Sequence, residues 1–101
     1  MVLARVRGTV VSTQKAEGLG GLRFLLLEKI DPVSMKGKGD FAVAIDDVGA
    51  NEGEIVFYVT GSSARMTATT KGKPSDATII AIVDQIDKAG ELLYRKAAGE
   101  G

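Results

Sequence analysis

The stretch "VLARVRGTVVS", Val2 to Ser12, is the first segment of the chain with a clear hydrophobic pattern. Apolar residues or glycine occupy every second position, and two arginines and a threonine stand between them. Because side chains alternate between the two faces of a strand, the pattern predicts a β-strand with one buried face. The predicted inward residues are Val2, Ala4, Val6, Gly8 and Val10.

Four further strands, separated by turns, are predicted along the rest of the chain. The strands are predicted at Leu22–Ile30, Phe41–Asp46, Ile55–Thr60 and Thr78–Ile86. "DPVSMKGKGD", Asp31 to Asp40, is rich in turn formers and predicts a surface loop. Short strands joined by glycine-rich turns predict an all-β fold, either a small sandwich or a five-stranded barrel whose closure removes exposed edges. Three residues of the turn after the third strand can accept a positive φ, namely Gly49, Asn51 and Gly53.

The end of the chain has a different composition. "KAGELLYRKAA", Lys88 to Ala98, contains good helix formers and predicts a short C-terminal helix. The predicted organisation is therefore a barrel domain over residues 1–87 and a helical tail over residues 88–101.

Composition limits the possible functions. The 101 residues, 45% of them hydrophobic, suffice for one domain with a packed core. Thirteen basic residues balance thirteen acidic ones, so the chain lacks the basic field typical of proteins that bind nucleic acid or anionic membranes. Arginines in the first apolar run argue against a signal peptide, and no run approaches the ~18 apolar residues of a membrane helix. We expect a soluble, intracellular protein.

Catalysis is not expected, although "GSSAR", Gly61 to Arg65, places serines on a turn after a strand. The segment does not match G-x-S-x-G, and the chain contains no histidine to activate a serine and no cysteine. A Ser–Lys pair would need a desolvated lysine, whereas the nearby Lys71 and Lys73 lie in an exposed type of loop. We expect no enzyme activity and no cofactor, and interpret the segment as a structural joint.

Two other candidate sites are also given structural interpretations. Four carboxylates crowd one turn without the spacing of an EF-hand, so we expect a solvated turn and no metal: Asp46, Asp47, Glu52 and Glu54. A five-stranded barrel is similar to the OB-fold, which can bind single-stranded nucleic acid by stacking its bases on exposed aromatic side chains. Here Phe24, Phe41 and Phe57 are predicted to lie in the core, which argues against such binding.

Strands two and five are apolar on both faces, which a single barrel does not need. Leu25 and Leu27 alternate with Phe24 and Leu26, and the fifth strand has the same character. Strands of this kind need cover on both sides, which predicts a second copy of the chain. The predicted subunit-interface residues are Leu25, Leu27, Ile79, Ala81 and Val83, together with Gly61, Ser62, Ser63, Ala64 and Arg65.

Four stretches resemble one known family. They are "ARVRGTVVSTQK", "GLRFLLLEKID", "AVAIDDVGANEGEIVFYVTGSSAR" and "PSDATIIAIVDQID", and together they cover about nine-tenths of the chain. In combination they resemble the EutN/CcmL family of bacterial microcompartment vertex proteins.

The resemblance implies a small five-stranded OB-like Greek-key barrel that forms a homopentamer. Such a ring would cap the five-fold vertices of a polyhedral, carboxysome-like shell in the cytoplasm, next to hexameric shell proteins. The alternative is an OB-like binding module for single-stranded nucleic acid or an anionic ligand.

Overall fold

The computed structural model describes residues 1–11, 23–61 and 77–96, and β-strands dominate these ranges. In chain order the strands are β1 (Val2–Val10), β2 (Arg23–Ile30), β3 (Gly37–Asp46), β4 (Ile55–Thr60), β5 (Ala77–Ile82), β6 (Gln85–Lys88) and β7 (Glu91–Arg95). The described residues include no helix long and apolar enough to cross a membrane.

The first five strands close into a barrel in the order β1-β2-β3-β5-β4, which confirms the predicted five-stranded fold. Neighbouring strands pair antiparallel except at β3 and β5, which run parallel. This parallel seam has only two paired positions, Ile45 with Thr78 and Asp46 with Ile79.

The core lies inside the barrel and is built from small and medium-sized apolar side chains around one tyrosine. Its members are Ala4, Val6, Leu25, Leu27, Ala44, Ala50, Val56, Tyr58, Ala77 and Ile79. Burial raises the pKa of the Tyr58 hydroxyl, because the surrounding apolar groups disfavour the phenolate.

A β-bulge changes which residues of β1 face inward. The alternation predicted from sequence holds as far as Val6, which pairs with Leu27 and is buried. The register then shifts at Arg7, so that Gly8 pairs with Leu26 and Val10 pairs with Phe24. Because directly paired residues share a face, Gly8 and Val10 lie on the outer face, and their predicted inward position is wrong.

A β-hairpin, β6–β7, replaces the predicted C-terminal helix over the described residues 88–96. The predicted fifth strand also ends early, at Ile82, and the domain boundary predicted after Asp87 falls inside β6. Ala89 (φ 49°) and Gly90 (φ 89°) form the two-residue connection. Positive φ at both positions matches the twist of a tight hairpin, and this turn outweighs the helix propensity of the flanking residues.

The predicted loop from Asp31 to Asp40 is shorter in the structure. Asp31 closes a tight turn, in which its Oδ1 accepts hydrogen bonds from the amides of Val33 (2.8 Å) and Ser34 (2.9 Å). These backbone donors lower the pKa of the Asp31 carboxyl. The remainder, Gly37 to Asp40, is strand and extends β3.

Candidate subunit interface

Three of the predicted interface residues lie in the barrel core instead. Leu25 and Leu27 have no exposed area and Ile79 is 1% exposed. Their assignment to the outer face is therefore wrong. When both faces of a strand are apolar, hydrophobicity cannot tell inside from outside, and an error of one residue exchanges the two sets.

The outer face of β2 and β3 carries an apolar surface that we call the β3 ridge, formed by Leu26, Phe41 and Val43. Leu26 pairs with Val43 across the two strands. Phe41 is 52% exposed and Val43 is 48% exposed. The predicted core position of Phe41 is wrong, and Phe24 and Phe57 are only half-buried. Large apolar side chains left this exposed at adjacent positions are typical of a surface that contacts another molecule.

A second apolar surface is concave and lies on the outer face of β1 and β4. It is an open groove of about 490 Å³, here called the β4 groove. Leu3 and Phe57 pair across its floor. The apolar residues that line it are Met1, Leu3, Pro32, Phe57, Val83 and Ile86. Val83, a predicted interface residue, is thus part of the groove.

Ala81 and Gly61 take positions compatible with their predictions. Ala81 pairs with Phe57 on the outer face of the barrel, next to the groove. Gly61 follows the last residue of β4 and has φ 64°, a conformation that side-chain-bearing residues rarely adopt, so it turns the chain out of the strand as predicted. The other residues of that segment, Ser62, Ser63, Ala64 and Arg65, lie outside the described residues.

The hairpin that forms one wall of the groove is held against the barrel by Tyr94. The Ile55 amide donates a hydrogen bond to the Tyr94 hydroxyl (3.3 Å). The Arg5 guanidinium stands 5.8 Å from the centre of the Tyr94 ring and also donates to the Gly53 carbonyl (2.7 Å). Contacts from two barrel strands thus fix β7, and through it β6, beside the groove.

Ion pairs neutralise charges of both signs along β1, β2 and β3. Arg7 Nε donates to Glu28 Oε1 at 2.8 Å, and Lys29 Nζ lies 3.0 Å from Asp40 Oδ2. Glu28 also accepts the Gly39 amide, and this bond together with Arg7 lowers the pKa of its carboxyl. The hydrogen bond to Asp40 raises the pKa of Lys29. A phosphate backbone needs cations that are free to pair with it, so this surface is poorly suited to nucleic acid.

The acidic turn after β3 is organised by one buried carboxylate. The Asp46 side chain is fully buried and accepts hydrogen bonds from the amides of Val48 (3.0 Å), Gly49 (3.1 Å) and Ala50 (3.1 Å). Arg23 donates a fourth, at 3.0 Å. The prediction of a solvated turn is therefore wrong for Asp46. No cluster of acidic residues suited to a metal ion occurs among the residues that the structure describes.

Two of the three predicted turn residues have a positive φ. Gly49 has φ 81° and Gly53 has φ 91°, as predicted, whereas Asn51 does not adopt a positive φ. Asn51 instead donates its amide to the Glu54 carboxylate (2.7 Å) and accepts the Glu54 amide at its carbonyl (3.0 Å). The position of an aspartate at a strand end, three residues before a glycine, is the sequence signal for the Asp46 turn.

The closed barrel with two apolar outer surfaces is typical of a subunit that assembles with other copies. A family model described as ethanolamine utilisation protein EutN/carboxysome matches residues 1–84. The chain belongs to this EutN/CcmL family.

Relatives support this assignment over nearly the whole chain. The microcompartment shell vertex protein EutN of Escherichia coli K12 is 41% identical over 96 residues, which span 95% of this chain and 100% of the relative. The structure of CcmL from Gloeobacter violaceus is 42% identical with a TM-score of 0.87, covering 95% of this chain and 98% of that one. GrpN from Rhodospirillum rubrum, a pentameric microcompartment shell protein, is 39% identical with a TM-score of 0.77, covering 87% and 99%.

Proposed function

We propose that this chain is a structural shell protein that forms a homopentamer and caps the five-fold vertices of a polyhedral bacterial microcompartment. The observation that carries the proposal is the presence of two different apolar surfaces on the outside of an already closed and packed barrel. A ring subunit needs two such surfaces, because each subunit meets its two neighbours through different faces. The relatives described as vertex proteins and as a pentameric shell protein support the number five and the place in the shell.

The mechanism of such a protein is geometric rather than chemical. Flat layers of hexamers cannot close into a polyhedron, and a ring of five introduces the missing curvature. The rigid barrel, braced at the Asp46 turn and by the Tyr94 contacts, keeps the angle between neighbouring subunits constant. The hexameric shell proteins are the partners that this role requires, and the shell lies in the cytoplasm.

The predicted contribution of "GSSAR" belongs to the same proposal. Gly61 directs the chain away from the end of β4, and Arg65 is proposed to hold an acceptor on a neighbouring subunit. Arginine suits this role because its planar guanidinium can bind a carboxylate or carbonyls through two parallel hydrogen bonds.

Two measurements test the proposal. Native mass spectrometry of the purified chain should give the mass of five copies, and a monomer would contradict the proposal. Co-expression with a hexameric shell protein should give closed polyhedra in electron micrographs, whereas omission of this chain should leave shells open at their vertices. Anisotropy titration with a single-stranded oligonucleotide at physiological salt should show no tight binding; submicromolar affinity would favour the binding-module alternative.

A further inference from the structure

The β3 ridge and the β4 groove differ in shape in a way that suits them to each other. The ridge presents Phe41 and Val43, each about half exposed at 52% and 48%. The groove is concave, has a volume of about 490 Å³ and is lined by the paired Leu3 and Phe57, by Pro32 and by residues of strand β6. Interfaces bury aromatic anchors in apolar pockets, and here the anchor and the pocket lie on the same chain.

The two surfaces also carry charges of opposite sign. Lys38 is exposed on β3, three residues before Phe41; it lies near enough to Asp31 to help lower the pKa of that carboxyl but forms no salt bridge among the described residues. Asp87 lines the groove, where its carboxylate accepts the Gln85 amide (3.1 Å) and has no cationic salt-bridge partner within the described ranges. Glu28 pairs with Phe41 across the strands and is already bound to Arg7, so burial of the ridge does not leave this carboxylate without a partner.

The positions of the two surfaces on the barrel exclude contact within one chain and favour a closed ring. The ridge lies over β2 and β3, and the groove lies over β1 and β4. In the strand order of the closed barrel the two surfaces are two gaps apart, so they are neither adjacent nor diametrically opposite. Contacts that are not diametrically opposite make successive subunits turn toward one side, which allows a ring to close.

We propose that the β3 ridge of one subunit docks into the β4 groove of the next, with Phe41 as the anchor. This inference rests on the proposed function, which supplies the second copy. Docking covers Phe41 and Val43, fills the groove, and brings Lys38 toward Asp87 of the neighbouring subunit. It assigns the interface to residues outside the barrel core and leaves Leu25 and Leu27 with a purely internal role.

Disulfide trapping tests this pairing directly, because the chain contains no cysteine and the background is therefore clean. A chain with Phe41→Cys and Ile86→Cys should form a ladder of covalent species that ends at five on a non-reducing gel. A disulfide requires Cα atoms within about 7 Å, so only adjacent positions react efficiently. Phe41→Cys with Val83→Cys is a second pair, which tests another residue that lines the groove. In the matched control, Val11→Cys replaces Phe41→Cys, because Val11 is 92% exposed and lies on neither surface.

The outcomes separate this inference from the proposed function. A ladder for either Phe41 pair, with none for the Val11 control, supports ridge-in-groove docking. If the reduced Phe41→Cys variants are pentameric in native mass spectrometry, absence of a ladder from either pair would overturn the docking and leave the proposed function intact. Loss of the pentamer in both reduced Phe41→Cys variants, with the Val11 control still pentameric, would support Phe41 as the anchor. Reduction should return all species to one chain, which verifies that the links are disulfides.

Discussion

Replacement of Phe41 by alanine should weaken the ring without unfolding the barrel. A buried aromatic side chain covers ~150–250 Å², so the half of Phe41 that is exposed in one chain leaves about 100 Å² to be buried by a neighbour. At about 25 cal/mol per Å², and after subtraction of what alanine retains, each contact loses about 2 kcal/mol.

The closed ring multiplies this loss. The closed ring contains five identical contacts, which together lose about 10 kcal/mol. Five chains assemble in four association steps, so the loss averages about 2.5 kcal/mol per step. Since each 1.4 kcal/mol is a factor of ten, the concentration at half-assembly should rise about 60-fold.

Sedimentation velocity over a dilution series measures that concentration for the wild type and the Phe41→Ala variant. Val11→Ala is the control, since it also removes an exposed apolar side chain but lies off both surfaces. Thermal unfolding should show that Phe41→Ala leaves the barrel folded. A half-assembly concentration within threefold of the wild-type value would refute the role of Phe41 as the interface anchor.

Three further changes address the interface charges, the Asp46 turn and the Glu28 carboxylate. Lys38→Glu and Asp87→Lys should each raise the half-assembly concentration several-fold, and the double variant should restore it; absence of rescue in the same dilution series argues against their proximity. Asp46→Ala should lower the free energy of unfolding by about 3 kcal/mol or more in urea titrations, because three backbone amides lose a buried acceptor. A loss below about 1 kcal/mol would contradict the bracing role. Glu28 has a lowered pKa in the folded chain, so its stabilisation is present above its ordinary value of 4.5 and declines as the pH falls toward the folded pKa. The free energy of unfolding of Glu28→Gln should therefore fall less steeply than that of the wild type as the pH drops below 4.5, and an unchanged pH dependence would contradict this.

The barrel could be predicted from sequence because its strands follow simple alternation and its turns contain glycines with positive φ. Gly49 and Gly53 have the positive φ predicted for them, and Gly61 also has a positive φ where the chain leaves β4. The orientation of β2 could not be predicted, because leucines occupy both faces and only the pairing of Leu27 with Val6 decides which face is inside.

The other differences between prediction and structure arise from contacts between residues that are far apart in the sequence. The bulge at Arg7 depends on pairing between β1 and β2, and Glu28 on the partner strand holds the Arg7 side chain. The β6–β7 hairpin depends on the docking of Tyr94 against Ile55 and on the Ala89–Gly90 turn, whereas the intervening residues favour a helix. The exposure of Phe41 follows from the register of β3, and composition alone favours burial of phenylalanine.

The parallel seam between β3 and β5 determines where this barrel is easiest to open. Every other junction of the barrel is a longer antiparallel ladder, whereas this one consists of two paired positions. The Asp46 carboxylate lies at one of these two positions and ties the following turn to the end of β3. Local opening there would convert the closed barrel into an open five-stranded sheet, in which β4 and β5 remain joined to the β1–β2–β3 meander through the β1–β4 ladder. The barrel is thus a continuous antiparallel sheet closed on itself by one short parallel junction, and the acidic turn strengthens that junction.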